Sequence, residues 1–172
     1  WSDSFGNAIA SQTVAEWIAA GRTYFHTAET LGRLPGALAS WEGGPYAATA
    51  LDSLSWHPDN DQERIRYAGA RRSREKLEAD RSVTDAVLMH DVHSKSYAPV
   101  ENAVWLFIGL GDPEIIPQLI ETLDDYGSKI MAEAYLNCGN SELYKAASKW
   151  SKRNGYTIHT GHGAHPVGWG AL

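Results

Sequence analysis

The stretch Asp112-Pro113-Glu114-Ile115-Ile116-Pro117-Gln118-Leu119-Ile120 constrains the fold more than any other part of the chain. Asp112 carries a side chain suited to capping free N–H groups, and Pro113 stands in a first turn, where its missing N–H costs nothing. Glu114 complements the positive end of the helix dipole. Ile115, Leu119 and Leu123 recur every fourth residue with Ile116 and Ile120 beside them, so one face of this helix must be buried. Such a segment is a packing unit. It demands other helices to lie against and supplies no catalytic motif of its own.

The rest of the chain reads as a source of those helices. Thr13 and Glu16 form a capping box before Val14, Trp17, Ile18, Tyr24, Phe25, Ala28 and Leu31, and Leu34-Pro35-Gly36 is expected to end that segment. A short helix is predicted from Tyr46 to Leu54, then a turn at His57-Pro58-Asp59-Asn60, with an N-cap between Asp59 and Asp61. Residues 61–81 read as one charged, exposed helix with acids first and arginines later. Residues 83–92 are short and apolar, and Ser94 to Ala98 is a joint. Further helices are predicted over Pro99–Leu110, Pro113–Leu123, Ser128–Asn137 and from Asn140 or Ser141 to Arg153, with Gly139 and Gly155 as stops. After Tyr156 the chain turns extended and glycine-rich. No segment alternates strongly enough to be a strand.

With 172 residues, the chain is long enough for one domain with a substantial core. Seven Trp, eight Tyr and a 43% apolar content argue for a folded protein rather than a disordered one. A net charge of −6 removes any global drive toward nucleic acid. The single cysteine, Cys138, excludes an internal disulfide and cysteine-built metal sites. The longest apolar run, Ala103 to Leu110, falls far below the roughly 20 residues that span a bilayer. A start at Trp1-Ser2-Asp3 reads as a processed or excised form, which leans toward an extracytoplasmic domain of a processed or anchored precursor, with cytoplasm as the alternative.

From Ala103 to Leu123 the sequence resembles the join between consecutive HEAT repeats. Leu110-Gly111 matches the turn that ends one helix, Asp112 to Ile120 matches the Asp-Pro-x-x-x-Pro-x-Leu-Ile start of the next pair, and Met131 to Gly139 takes the place of the second helix. Ile130 to Ala134 departs from that helix's usual Val-Arg-x-x-Ala-Ala pattern. The resemblance spans Pro99 to Gly155, about a third of the chain. It implies helical hairpins packed in a HEAT-like, α-solenoid arrangement, and a helical face presented to another protein. A few relatives of this phycobilin-lyase-type repeat family act as lyases on pigments, but the repeat motif carries no catalytic residue to transfer. The expected fold is therefore all-α: a single helical domain over 1–172, with N-terminal helices (1–95), HEAT-like helices (96–155) and a short extended C-terminal tail (156–172).

Several clusters are candidates for chemistry. His159, His162 and His165, three apart and separated by glycines, suit zinc or another divalent transition metal. A polar tail held by Val167 and Trp169 explains the same residues, and no cofactor is the simpler expectation. His90, Asp91 and His93 offer two imidazoles and a carboxylate; on a helix, His90 and His93 share a face, as an acid–base pair would require. They equally suit a helix joint. Cys138, at a helix C-terminus, reads as a small buried residue rather than a nucleophile. The arginines from Arg64 to Arg81, interleaved with Glu75, Glu78 and Asp80, read as an ion-paired face rather than a phosphate-binding one. Trp41, Tyr46, Trp56, Tyr97 and Trp169 fall at predicted loops and ends, where large rings serve as interface anchors; Trp169 equally staples the tail. The functional expectation is a non-enzymatic protein-binding or scaffold module, contacting another protein and not nucleic acid, with no membrane-spanning segment. The alternative is a small hydrolase or lyase using His90, Asp91 and His93, with or without a metal ion.

Overall fold

A helix that is apolar on every side can only lie inside other helices, and the run that ends at Leu110 becomes the centre of the molecule. The computed structural model describes residues 33–41, 43–161 and 168–172. Within them the chain forms α1 (Leu34–Ala37), α2 (Gly44–Ser53), α3 (Asp61–Ala70), α4 (Arg74–Glu78), α5 (Arg81–Val92), α6 (Tyr97–Leu110), a 3-10 turn (Pro113–Ile115), α7 (Ile116–Tyr126), α8 (Lys129–Asn137) and α9 (Ser141–Asn154). No strand occurs among the described residues. The helix predicted over Thr13 to Leu31 lies outside them. In α6, every residue from Glu101 to Leu110 is buried. Helix α5 packs on α6, α8 packs on α6 as well, and α9 pairs with both α7 and α8. A smaller cluster of Leu34, Leu38, Ala47, Ala50 and Leu51 lies under α1 and α2 and meets α3 at Ala70.

Local signals placed most helix starts. Asn60 accepts from Glu63 N at 2.9 Å, Ser128 from Met131 N at 3.2 Å, and Asn140 from Leu143 N at 3.1 Å. Asp112 accepts from Glu114 N at 2.9 Å, but the helix after it begins as a 3-10 turn. The reason is the second proline: Pro117 lacks the N–H that an α-helix starting at Pro113 would bond to the Pro113 carbonyl. Ile116 N–H takes that carbonyl instead, tightening the first turn.

One expectation needs correction, and two neighbouring segments gain definition. Leu34-Pro35-Gly36 itself opens α1, with Pro35 in its first turn, while the segment it was expected to end lies outside the described residues. The apolar segment 83–92 is the body of a helix that starts at Arg81, capped by Asp80. Residues 61–81 are not one exposed helix, since Ile65 and Leu77 are fully buried and the chain turns at Arg71-Arg72-Ser73 between α3 and α4. Arg72 has φ 50° there. Its N–H reaches the Gly69 carbonyl and Ser73 N–H reaches that of Ala68, a Schellman closure. Helix α2 ends the same way: Ser55, φ 52°, donates to Asp52 O while Trp56 N–H donates to Leu51 O. Both sites put a side chain where glycine is normally favoured.

At the C-terminal end of α6, Gly111 has φ 68°, and a Cβ there would overlap Gly170 in the returning tail. The backbone approach therefore depends on glycine twice over. Gly111→Ala is expected to lower stability by about 2 kcal/mol or more, and Ser55→Gly to raise it by about 1 kcal/mol. Urea denaturation reads both, and hydrogen exchange at Gly170 and Leu172 should accelerate only in Gly111→Ala.

Candidate functional site

Four helix ends meet around a groove of about 400 Å³, lined by Val92, His93, Lys95, Tyr97, Val100, Tyr126 and Ile130. Each end is fixed by its own local chemistry. His93 caps α5, its N–H donating to Met89 O at 3.1 Å. Ser96 is extended before α6, and Pro99 sits in that helix's first turn, where no intrahelical donor is needed. Tyr126 is the last residue of α7, and Gly127 turns the chain sharply into α8. A Cβ on Gly127 would lie 2.6 Å from the Trp150 indole nitrogen on α9, so that turn can press against α9 only as glycine. The tyrosine before it is thereby held at the groove.

The groove pairs an apolar floor with an aromatic rim. The His93 and Tyr126 rings lie 4.7 Å apart at 39°, while Tyr126 remains 60% exposed and Tyr97 48% exposed. Val92 is buried, and Val100 and Ile130 are half-buried. Lys95 stands exposed on the connection between α5 and α6. Tyr126 and His93 were not read from sequence as interface residues. The signal was available in the Tyr-Gly-Ser step at a helix end, which strands a large ring at a surface corner.

The aromatics selected from sequence do not converge. Trp41 is not an exposed anchor: it is buried, its ring 6.2 Å from Trp105 and beneath the Arg72 guanidinium at 4.7 Å. Tyr46 is exposed on α2. Trp56 is half-buried, 5.7 Å from Tyr67, in a different depression. Tyr97 lines the groove. Trp169 is half-buried against the main core, and its N–H donates to Cys138 O at 2.8 Å, so it staples the tail.

Asp91 is fully buried and held by Arg66, Nε donating to Oδ2 at 2.8 Å and Nη2 to Oδ1 at 2.6 Å, with Gln62 Nε2 at 3.2 Å. This fork ties α5 to α3 and occupies both carboxylate oxygens. His90 Nδ1 lies 3.3 Å from both Asp91 Oδ1 and Gln62 Nε2, on the α3 side of α5. His93 faces Tyr126, so the two imidazoles line separate depressions. His159 is exposed, its carbonyl accepting from Asn137 Nδ2 at 3.0 Å, while His162 and His165 lie outside the described residues. Among the described residues no three His, Cys, Asp or Glu side chains are placed to share a metal ion. Cys138 is buried, and burial raises its thiol above the ordinary pKa.

Because Asp91 has no water to fall back on, truncating Arg66 strands a buried charge. Arg66→Met is expected to cost about 3–5 kcal/mol, and pairing it with Asp91→Leu should recover most of that loss. Chemical denaturation of the two single variants and the double variant checks this.

No protein-family model, curated protein or solved structure matches the chain.

Proposed function

We propose that this chain is a protein-binding module, in which HEAT-like helix pairs hold the groove between Tyr97 and Tyr126 open to a segment of another protein. The observation that carries the reading is Tyr126: a large ring, 60% exposed, tilted against His93 beside an apolar floor. Tyrosine is a favoured interface anchor because it brings much contact area with few rotatable bonds. Alternate helices pack on one another, α3 on α5, α6 on α8 and α7 on α9, in addition to the neighbours α5–α6 and α8–α9. That pattern suits stacked hairpins, and it supports the HEAT-like reading of the C-terminal half.

The groove's chemistry describes its occupant. An apolar side chain would fill the space above Val92, Val100 and Ile130, and a carboxylate beside it would meet Lys95. Charge argues against nucleic acid as the partner. Arg64, Arg66, Arg71, Arg74 and Arg81 each carry an acidic partner, which takes them out of a phosphate-binding stripe, and the chain's net charge is −6.

Site-specific photocrosslinking from position 126, with the same probe at Tyr46 as control, tests the proposal. A discrete adduct with one protein is expected from position 126 alone. Tyr97→Ala with Tyr126→Ala should weaken that partner's binding by about 2 kcal/mol or more, roughly thirtyfold in Kd, without lowering Tm. Undiminished binding by the double variant would refute the groove as the contact surface.

A further inference from the structure

We infer that a second depression, between the end of α2 and the outer faces of α3 and α4, is a binding site for a small planar anion, an aromatic ring bearing a carboxylate or phosphate. It is separate from the tyrosine groove and does not depend on the protein-binding reading. Its volume is about 680 Å³, and Trp56, Tyr67, His57, Arg64, Lys76 and Asp52 are among the residues lining it. That falls in the range of small-ligand pockets.

Two features give the site its selectivity. The first is an aromatic wall. Trp56 and Tyr67 lie 5.7 Å apart at 47°, so a flat ligand can stack on one ring and meet the edge of the other. Trp56 is held there by the left-handed Ser55, whose strained backbone turns the chain back onto α2 and which itself lines the pocket. The second is the charge balance. Among the described residues the one carboxylate lining the pocket, Asp52, is already engaged: one oxygen accepts from the Tyr67 hydroxyl and the other lies 3.4 Å from Arg71. The hydrogen bond to Asp52, with burial second, raises the Tyr67 pKa above its ordinary value, so the phenol stays a neutral donor to an exposed carboxylate that Arg71 also faces.

Lys76 is different. Its ammonium hangs 6.0 Å above the Tyr67 ring and makes no ion pair with any described residue. Arg64 is bonded to Asp61 at 2.9 Å, so its charge is already matched, and His57 is exposed beside the pocket. In a chain of net charge −6, an aromatic pocket with an uncommitted lysine poised over one ring favours a ligand that is flat and negative. The ring would occupy the Trp56–Tyr67 angle and the anion would lie toward Lys76.

The test is NMR titration of the full chain, following the Trp56 indole and Ser55 amide signals. The probes are indole-3-acetate and adenosine 5′-monophosphate, each beside its uncharged counterpart, indole-3-acetamide and adenosine, with inorganic phosphate as a further control. At least one of the two anions is expected to bind saturably with Kd below about 1 mM, its neutral counterpart roughly tenfold more weakly, and phosphate alone without a comparable shift. Lys76→Glu, at an exposed position that should leave the fold intact, is expected to weaken the anion by about tenfold or more while Lys149→Glu does not. Absence of saturable shifts from both anions, equal binding of the neutral compounds or of phosphate alone, or indifference to Lys76→Glu would each overturn the assignment.

Discussion

Helix α6 can be buried on every side only because the carbonyls at its C-terminal end are satisfied from within the protein. A buried helix end would otherwise leave orphan acceptors in a place that water does not reach. Here each has a donor. Phe107 O accepts from Gly111 N at 3.1 Å and Ile108 O from Gly170 N at 2.9 Å. Gly109 O accepts from Leu172 N at 2.9 Å and from Arg74 at 2.7 Å, and Leu110 O from Arg74 at 3.2 Å. Arg74 also reaches Gly170 O at 3.0 Å, so a single guanidinium joins α4, the end of α6 and the returning tail. Its charge suits the negative end of the helix dipole. The tail is thus part of the core's construction, a substitute for the water that α6 excludes.

The same economy appears among the other arginines. In the charge-rich segment Arg64 to Arg81, Ile65 and Leu77 are buried while most of the charged side chains stay at the surface in ion pairs. Arg66 fastens Asp91 between α3 and α5, and Arg72 lies over Trp41, closing a turn that glycine would ordinarily make. Arg81 reaches Asp85 at 2.8 Å and Asp112 at 3.3 Å, which links the start of α5 to the cap after α6. The exposed pairs among these contribute little individually. The buried fork at Asp91 matters more, because neither partner can be removed alone without stranding the other.

Which features were legible in the sequence follows from how far apart their causes lie. Caps at Asn60, Ser128 and Asn140 act over two or three residues, and the four-residue repeat of Ile115, Leu119 and Leu123 acts along one helix, so the all-helical class and the C-terminal boundaries could be read locally. The break at Arg72 could not, because its partner Trp41 lies across the fold. Asp91 looked like a candidate base until Arg66, 25 residues away, was placed on it. Trp41 sat in a glycine-containing loop and was therefore expected at the surface, yet burial was decided by Trp105. Of the candidate groove, Tyr97 was singled out from sequence as an interface ring and His93 only as an acid–base candidate; the groove itself comes from helix ends that only the tertiary packing brings together.

That last point explains where surfaces for recognition can exist in this molecule. A central helix buried from Glu101 to Leu110 leaves no broad face there to offer, so concave features form at helix ends. The groove at Tyr126 is bounded by four such ends, the first turn of α6 among them, and the depression at Trp56 by the closure of α2. In both, the closure of a helix also presents the ring: Tyr126, the last residue of α7, because Gly127 turns beneath Trp150, and Trp56, just past α2, because Ser55 reverses the backbone. Termination chemistry, which in most helices only satisfies stray carbonyls, here also sets the direction in which the large aromatic side chains project.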